Sequence, residues 1–205
     1  GVDQEQRKIR QRAAEREFRL LQTLEHPGVL RAMDFTAHEL GPAIIFRHSP
    51  GAMRLDHYLV RHKNQISDDL RLSLMRQIAD TIRFAHKKLI VHRALNPRAI
   101  LLIDPESATP QTAIMNWQLG YRQSGKDGTM VTDEVTATMH LESFSEEPTS
   151  VFMTPETLVD PDILGEHHDI FSLGALCYQL FTGQPPAESS LALAEKLRAH
   201  RGLRV

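Results

Sequence analysis

The stretch from Asp169 to Phe181 constrains the fold most tightly. Ile170, Phe171, Leu173, Ala175, Leu176, Cys177, Leu180 and Phe181 leave it apolar nearly all round, and a helix without a polar face has to be buried centrally. Gly183 stands where a left-handed residue ends a helix, and Pro185-Pro186 prevents continuation. Other elements must therefore cover this helix on several sides. At 205 residues, 41% hydrophobic and 24% charged, the chain can build one sizeable core, or one large lobe with part of a second.

Candidate covering elements can be read in order. Residues 4–25 carry Ile9, Ala13, Ala14, Phe18, Leu21 and Leu24 at three- and four-residue spacing, which predicts an amphipathic helix. His26-Pro27-Gly28 ends it. Two strands are expected at 29–36 and 43–46, then a short helix at 54–61. Ser67 is placed to cap a second long helix, with Asp68 and Asp69 at its positive end. Leu70, Leu74, Met75, Ile78, Ile82 and Ala85 form its apolar face, and His86-Lys87-Lys88 suits its C-terminus. Residues 100–104 and 112–117 read as a hairpin around Pro105-Glu106-Ser107. From Leu119 to Ser150 the periodicity fails, which predicts a long exposed loop. A last helix is expected at 190–200.

Composition excludes several classes. The formal charge of -2 gives no basic excess for direct nucleic-acid binding. The one cysteine, Cys177, rules out an internal disulfide and fits a reducing cytoplasm. No apolar run approaches the roughly 18 residues of a membrane span, and Gly1 to Arg12 is not a signal peptide. The chain starts without an initiator Met and enters a helix almost at once, so its opening reads as a fragment boundary.

Val91-His92-Arg93-Ala94-Leu95-Asn96-Pro97-Arg98-Ala99-Ile100-Leu101-Leu102 resembles the catalytic loop of protein kinases. Landmarks agree in order along nearly the whole chain. Arg16-Glu17-Phe18 before His26-Pro27 looks like the small-lobe helix whose glutamate pairs with a strand lysine. Phe46-Arg47-His48 resembles the hinge. Asn116-Trp117-Gln118 falls at the metal loop, and Phe152-Met153-Thr154-Pro155-Glu156 at the end of the activation segment. Asp169 to Pro186 matches the central helix of the large lobe. The resemblance implies an α+β protein kinase-like fold of the bacterial serine/threonine type. Residues 1–48 would be an incomplete small lobe and 49–205 a mainly helical large lobe, truncated at its C-terminus. Within the latter would lie the catalytic loop (91–102), metal loop (116–118), activation-segment-like loop (119–156) and central helix (169–182).

The departures fall on the chemistry. Phosphoryl transfer needs a carboxylate near the accepting hydroxyl, metal ions held by Asp and Asn, and a lysine on the phosphates. Here Ala94 occupies the base position, Asn96 replaces the loop lysine, Ala99 removes one metal ligand, and Asn116 replaces the metal-loop aspartate with a weak neutral ligand. The phosphate loop and its lysine strand would lie before residue 1. Four losses in one site resemble a pseudokinase. His92, Arg93, Glu17, Glu156 and Asp169 are retained as architecture: the resemblance implies that His92 ties the catalytic loop to the metal loop and that Asp169 anchors the loop backbone. Arg93 either binds a phosphorylated activation segment, which offers Thr129, Thr132, Thr136, Thr138, Ser143, Ser145, Thr149 and Ser150, or pairs with Glu134, Glu142 or Glu146. The second is preferred.

Other signals are read plainly. Glu166-His167-His168-Asp169 starts a helix and lacks a metal-ligand pattern. Cys177 is expected to be an inert core thiol. Trp117 either intrudes on the nucleotide cleft or fills the apolar slot beneath the first helix, the latter preferred.

The expected function is a catalytically inactive regulatory or scaffolding module of a larger bacterial protein, without metal or cofactor, acting on other domains of its polypeptide or on protein partners. More narrowly, Asp34-Phe35-Thr36-Ala37-His38-Glu39-Leu40-Gly41-Pro42 with the 92–97 and 116–118 motifs resembles the degenerate domain of large multidomain kinases in BREX-type phage-defence systems. Two alternatives stand. One is a divergent ATP-binding kinase that recruits Asp104, Asp127 or Asp133. The other is a nucleotide switch without turnover, binding ATP without magnesium between Phe46, Arg47, His48 and Leu101.

Overall fold

The computed structural model describes residues 2–63, 65–122, 149–160, 163–200 and 202–203. Helix α1 (Val2–Leu21) is followed by a hairpin of β1 (Ala32–His38) and β2 (Gly41–Phe46), then β3 (Met53–Arg54), α2 (Leu55–Arg61) and α3 (Asp68–Lys87). Strand β4 (Ile90–Val91) leads into a single turn, Pro97–Ala99, and the hairpin of β5 (Ile100–Ile103) and β6 (Gln111–Ile114). A second turn, Trp117–Leu119, precedes β7 (Tyr121–Arg122). After a turn at Ser150–Phe152 come α4 (Pro155–Val159), α5 (His167–Thr182) and α6 (Ser190–His200). The architecture is α+β.

Among the described residues three small antiparallel sheets carry the strands: β1–β2, β3–β5–β6 and β4–β7. Leu30 N–H donates to the Ile114 carbonyl (2.9 Å) and Ile114 N–H to the Gly28 carbonyl (2.7 Å), so the segment after α1 is stitched to β6. Gly28 is needed there, since a Cβ would sit 1.9 Å from Oγ1 of Thr81.

Helix α3 is organised as its sequence dictates. The Ser67 hydroxyl accepts the Leu70 N–H (3.3 Å), and Leu74, Ile78, Ile82 and Ala85 are buried. Two of its polar residues hold neighbours. Gln77 donates to the Pro110 carbonyl (3.1 Å) and accepts from Thr112 N–H (2.9 Å), fixing the β5–β6 hairpin. Arg71 donates to the carbonyls of Leu180 (2.7 Å) and Phe181 (3.1 Å), satisfying the C-terminal turn of α5.

Several expectations need correction. Helix α1 stops at Leu21; Thr23 and Leu24 donate instead to carbonyls three residues back, and the Thr23 hydroxyl competes for that of Leu20. The first hairpin pairs 32–38 with 41–46, so Gly41-Pro42 belongs to a strand and Val29 makes only an isolated bridge to Ile114. Strand β6 ends at Ile114, because Asn116 turns left-handed. Tyr121 and Arg122 pair with β4 where only loop was expected. The core of that expected loop, 123–148, lies outside the described residues. Helix α5 is capped by Gly183 at φ 71° as anticipated, yet it is not buried all round. His168, Asp169, Ser172, Ala175, Leu176 and Leu180 are buried, and the helix packs against α3 and the Ser150–Phe152 turn, while Ile170 is 59% exposed.

Candidate functional site

The site is organised by one buried carboxylate. Asp169, in the first turn of α5, is fully buried. Its Oδ2 accepts the His92 N–H and its Oδ1 the Arg93 N–H, both at 2.8 Å. Oδ2 also meets Nε2 of His86, from the end of α3, at 2.8 Å. Arg93 is held at φ 68°, a left-handed conformation that costs a non-glycine residue energy. Two charge-assisted bonds to one carboxylate offset that cost.

The ring of His92 is engaged at both nitrogens. Nε2 lies 3.0 Å from the Met115 carbonyl, so it carries the proton, and Nδ1 accepts the Ala94 N–H at 3.2 Å. Burial pushes its pKa below the ordinary histidine value, in keeping with this neutral form. His92 thus links the 91–102 loop to the segment before Asn116.

At the base position Ala94 presents a methyl group that is 4% exposed, packed with Leu119 and Met153. Ala99 is fully buried. Its N–H donates to the Asn96 carbonyl and its own carbonyl accepts from Met115 N–H, both at 2.9 Å. Asn96 is turned into the loop: its amide donates to the Ala94 carbonyl and accepts from Arg98 N–H, each at 2.8 Å, capping the Pro97–Ala99 turn. The position expected to supply charge serves backbone geometry instead. An Asn-Pro pair is a readable capping signal, and sequence reasoning weighed only its missing charge.

Asn116 is exposed at φ 62°, which asparagine tolerates better than most residues. Trp117 is fully buried, its ring centroid 4.6 Å from that of His92 and its Nε1–H donated to the Ile114 carbonyl at 3.3 Å. The slot beneath α1 is where it sits. Glu17 of α1 is 5% exposed and accepts the Trp117 N–H. Burial raises its pKa from 4.5 to about 7, with that hydrogen bond and the charge of Arg16 opposing the rise. Arg16 donates to the Gln118 carbonyl at 3.2 Å.

Phe46 ends β2 half-buried against the core, Arg47 and His48 are exposed, and Leu101 is half-buried on β5 opposite Arg54. Arg93 is 3% exposed, with its guanidinium 5.8 Å from the Tyr121 ring centroid. Glu134, Glu142, Glu146 and the hydroxyls from Thr129 to Ser145 lie outside the described residues, while Thr149 and Ser150 are buried. Glu156 is exposed in α4. Cys177 is half-buried. Among the described residues no group of three or more His, Cys, Asp or Glu side chains is placed to hold a metal.

One network was missed by sequence reasoning. His168 is 1% exposed, with Nδ1 at 2.7 Å from the Thr157 hydroxyl and 2.9 Å from that of Thr154, and Nε2 at 2.8 Å from the Ile163 carbonyl. It pins α4 and the loop after it to α5. Burial pushes its pKa down. Adjacent histidines carry no pattern that separates a buried strut from surface residues.

A loop fixed by a buried aspartate, a histidine bridge to the following segment and a glutamate from the first helix define a protein kinase domain. Residues 2–202 match the protein kinase domain family, and the chain belongs to it. It is 33% identical over 225 aligned positions to the probable kinase PglW of Streptomyces coelicolor, covering all of this chain and 14% of that protein. Mouse cyclin-dependent kinase-like 4 is 26% identical over 90% of the chain and 48% of its own length. Mouse Aurora kinase B is 24% identical over 85% and 44%. The chain therefore spans less than half of these relatives.

Proposed function

We propose that this chain is a pseudokinase module: the frame of a kinase large lobe (49–205), with a small-lobe remnant (1–48), working by contact rather than by phosphoryl transfer. The observation that carries this reading is the pair of buried methyls, Ala94 and Ala99, in a loop whose Asn96 amide is spent on the loop backbone. A missing base alone costs about 100- to 10,000-fold in rate, and the metal positions offer one exposed amide, Asn116, to a cation that prefers carboxylates. Asp104, a candidate substitute, lies at the tip of the β5–β6 hairpin; Asp127 and Asp133 lie outside the described residues.

The likeness to probable kinase PglW supports a place in a large bacterial multidomain protein, of the kind found in BREX-type defence, with regulation of neighbouring domains in the cytoplasm as the role. Any nucleotide would sit between Phe46–His48 and Leu101 without magnesium. The test is thermal denaturation with ATP, with and without magnesium, beside a radiolabelled transfer assay. No magnesium-dependent rise in Tm and no transferred label are expected. Magnesium-dependent stabilisation would overturn the inert metal site, and label that survives inactivation of every other kinase domain on the polypeptide would overturn the reading whole.

A further inference from the structure

The segment that leaves α1 is tied down along its length. Gln22 Nε2 donates to the Ala32 carbonyl, Val29 N–H to the His26 carbonyl and Gly28 N–H to Nδ1 of His26, each at 3.0 Å. Thr81 leaves no space for a side chain at Gly28, and the bonds to β6 hold the same stretch from the other side. This frame surrounds a cleft of about 460 Å³, within the usual range of ligand pockets. Buried Leu21, Leu24, Val29 and Ala32 give the cleft apolar walls, and exposed Glu25 and Arg31 border it. His26 lines it too. Its ring stacks on that of Phe84, 4.8 Å between centroids, and Lys88 Nζ lies 5.9 Å from the Phe84 centroid. Because Nδ1 accepts, the neutral His26 ring carries its proton on Nε2, a donor with no acceptor among the described residues. Next to the cleft the β1–β2 register shifts between Ala32 and Asp34. Met33, the residue left over by that bulge, is 63% exposed.

We infer that this cleft is a docking site for a peptide segment of a partner protein, one that carries apolar side chains beside a single carboxylate. The apolar side chains meet the cleft walls and Met33, whose unbranched thioether adapts to the shape of what it covers. The carboxylate meets Arg31, whose planar fork matches it in geometry, with the Nε2–H of His26 as a further donor. Neither Arg31 nor Glu25 has an ion-pair partner among the described residues, so the guanidinium is available. Charge sets the number of acids. Arg31 and Lys88 favour an anion, while Glu25 repels a second one, which disfavours a polyanion such as a nucleic-acid backbone. A preformed cleft loses little freedom on binding, so modest contacts suffice. None of these residues belongs to the 91–102 loop or the 116–118 segment. Label transfer would therefore overturn the pseudokinase reading and leave this one standing.

The experiment is fluorescence polarisation of the wild-type chain with three short labelled peptides. One carries leucine and phenylalanine beside a single aspartate, the second has lysine in place of that aspartate, and the third has serine in place of the two apolar residues. The first should bind, and the other two at least about tenfold more weakly. Arg31→Glu should weaken the first peptide by at least about tenfold, and Met33→Ser by about fivefold. Both positions are exposed, so both variants should keep the fold, which circular dichroism checks. Failure of the first peptide, equal binding of all three, or unchanged affinity in either folded variant would overturn the inference. So would sedimentation of the wild-type chain as a dimer that Arg31→Glu converts to a monomer, since the occupant would then be a second copy.

Discussion

Glu17 offers the sharpest test of the interior described above. Its carboxyl is buried with a backbone N–H for a partner, and burial places its folded pKa at about 7 against an ordinary 4.5. The sign follows from proton linkage. Between those values the folded chain holds a proton that the unfolded chain has released, so stability falls as pH rises through the window and levels off above about 7. At ~1.4 kcal/mol per pH unit the loss is about 3 kcal/mol, an order-of-magnitude figure. Glu17→Gln removes the titration while keeping an oxygen to accept the Trp117 N–H. Any fixed cost of the extra amide N–H₂ group cancels when the two chains are compared at two pH values. Urea unfolding of both chains at pH 4.5 and pH 8 is the assay. The difference in unfolding free energy should move in favour of the variant by about 3 kcal/mol between those conditions. A difference that stays constant across pH, or that moves the other way, would show Glu17 to be ionised in the fold and the account of α1 packing on the Trp117 turn to be wrong.

Three further outcomes are expected. Asn96→Ala removes two loop hydrogen bonds, one of them the cap, and should lower stability by about 1–2 kcal/mol in urea unfolding. Asp169→Ala strands two buried N–H groups and His86, and should cost upwards of ~3 kcal/mol or prevent folding, whereas Ala94→Gly at the neighbouring base position should change Tm little by comparison. His168 has a depressed pKa, so its contribution is present above the ordinary value near 6.5 and lost as pH falls below it; His168→Gln should flatten the acid-side slope of a Tm-against-pH profile.

How much of this was legible in the chain depended on what kind of signal carried it. Helix α3 was readable because cap, dipole and apolar face are all local, and Gly183 marked the end of α5 for the same reason. The one-sidedness of α5 was not readable: Ile170 and Leu176 are equally apolar, and only tertiary packing decides that one is exposed and the other buried. Strand β7 was missed because two residues carry no periodicity; its partner β4 lies far away in sequence and pairs through backbone alone. At the site, the residues were found but not all of their work. Asn96 was weighed for the charge it lacks, whereas its amide is occupied with the loop. His86 was taken for a cation suited to a helix end, yet it reaches Asp169 across more than eighty residues of chain, a contact no local pattern encodes.

The survival of this loop's shape without its reactive groups has a physical reason. What bends residues 92–99 is a set of backbone bonds: two N–H groups on Asp169, the Ala94 N–H on His92, the Arg98 N–H on Asn96, and the Ala99 carbonyl on Met115. None of these uses the side chain at position 94 or 99. Replacing a carboxylate and an amide by methyls in that frame removes groups that are costly to bury and breaks none of these bonds. Chemistry and architecture are therefore separable here. The turn takes its shape from these bonds whatever side chain stands at positions 94 and 99.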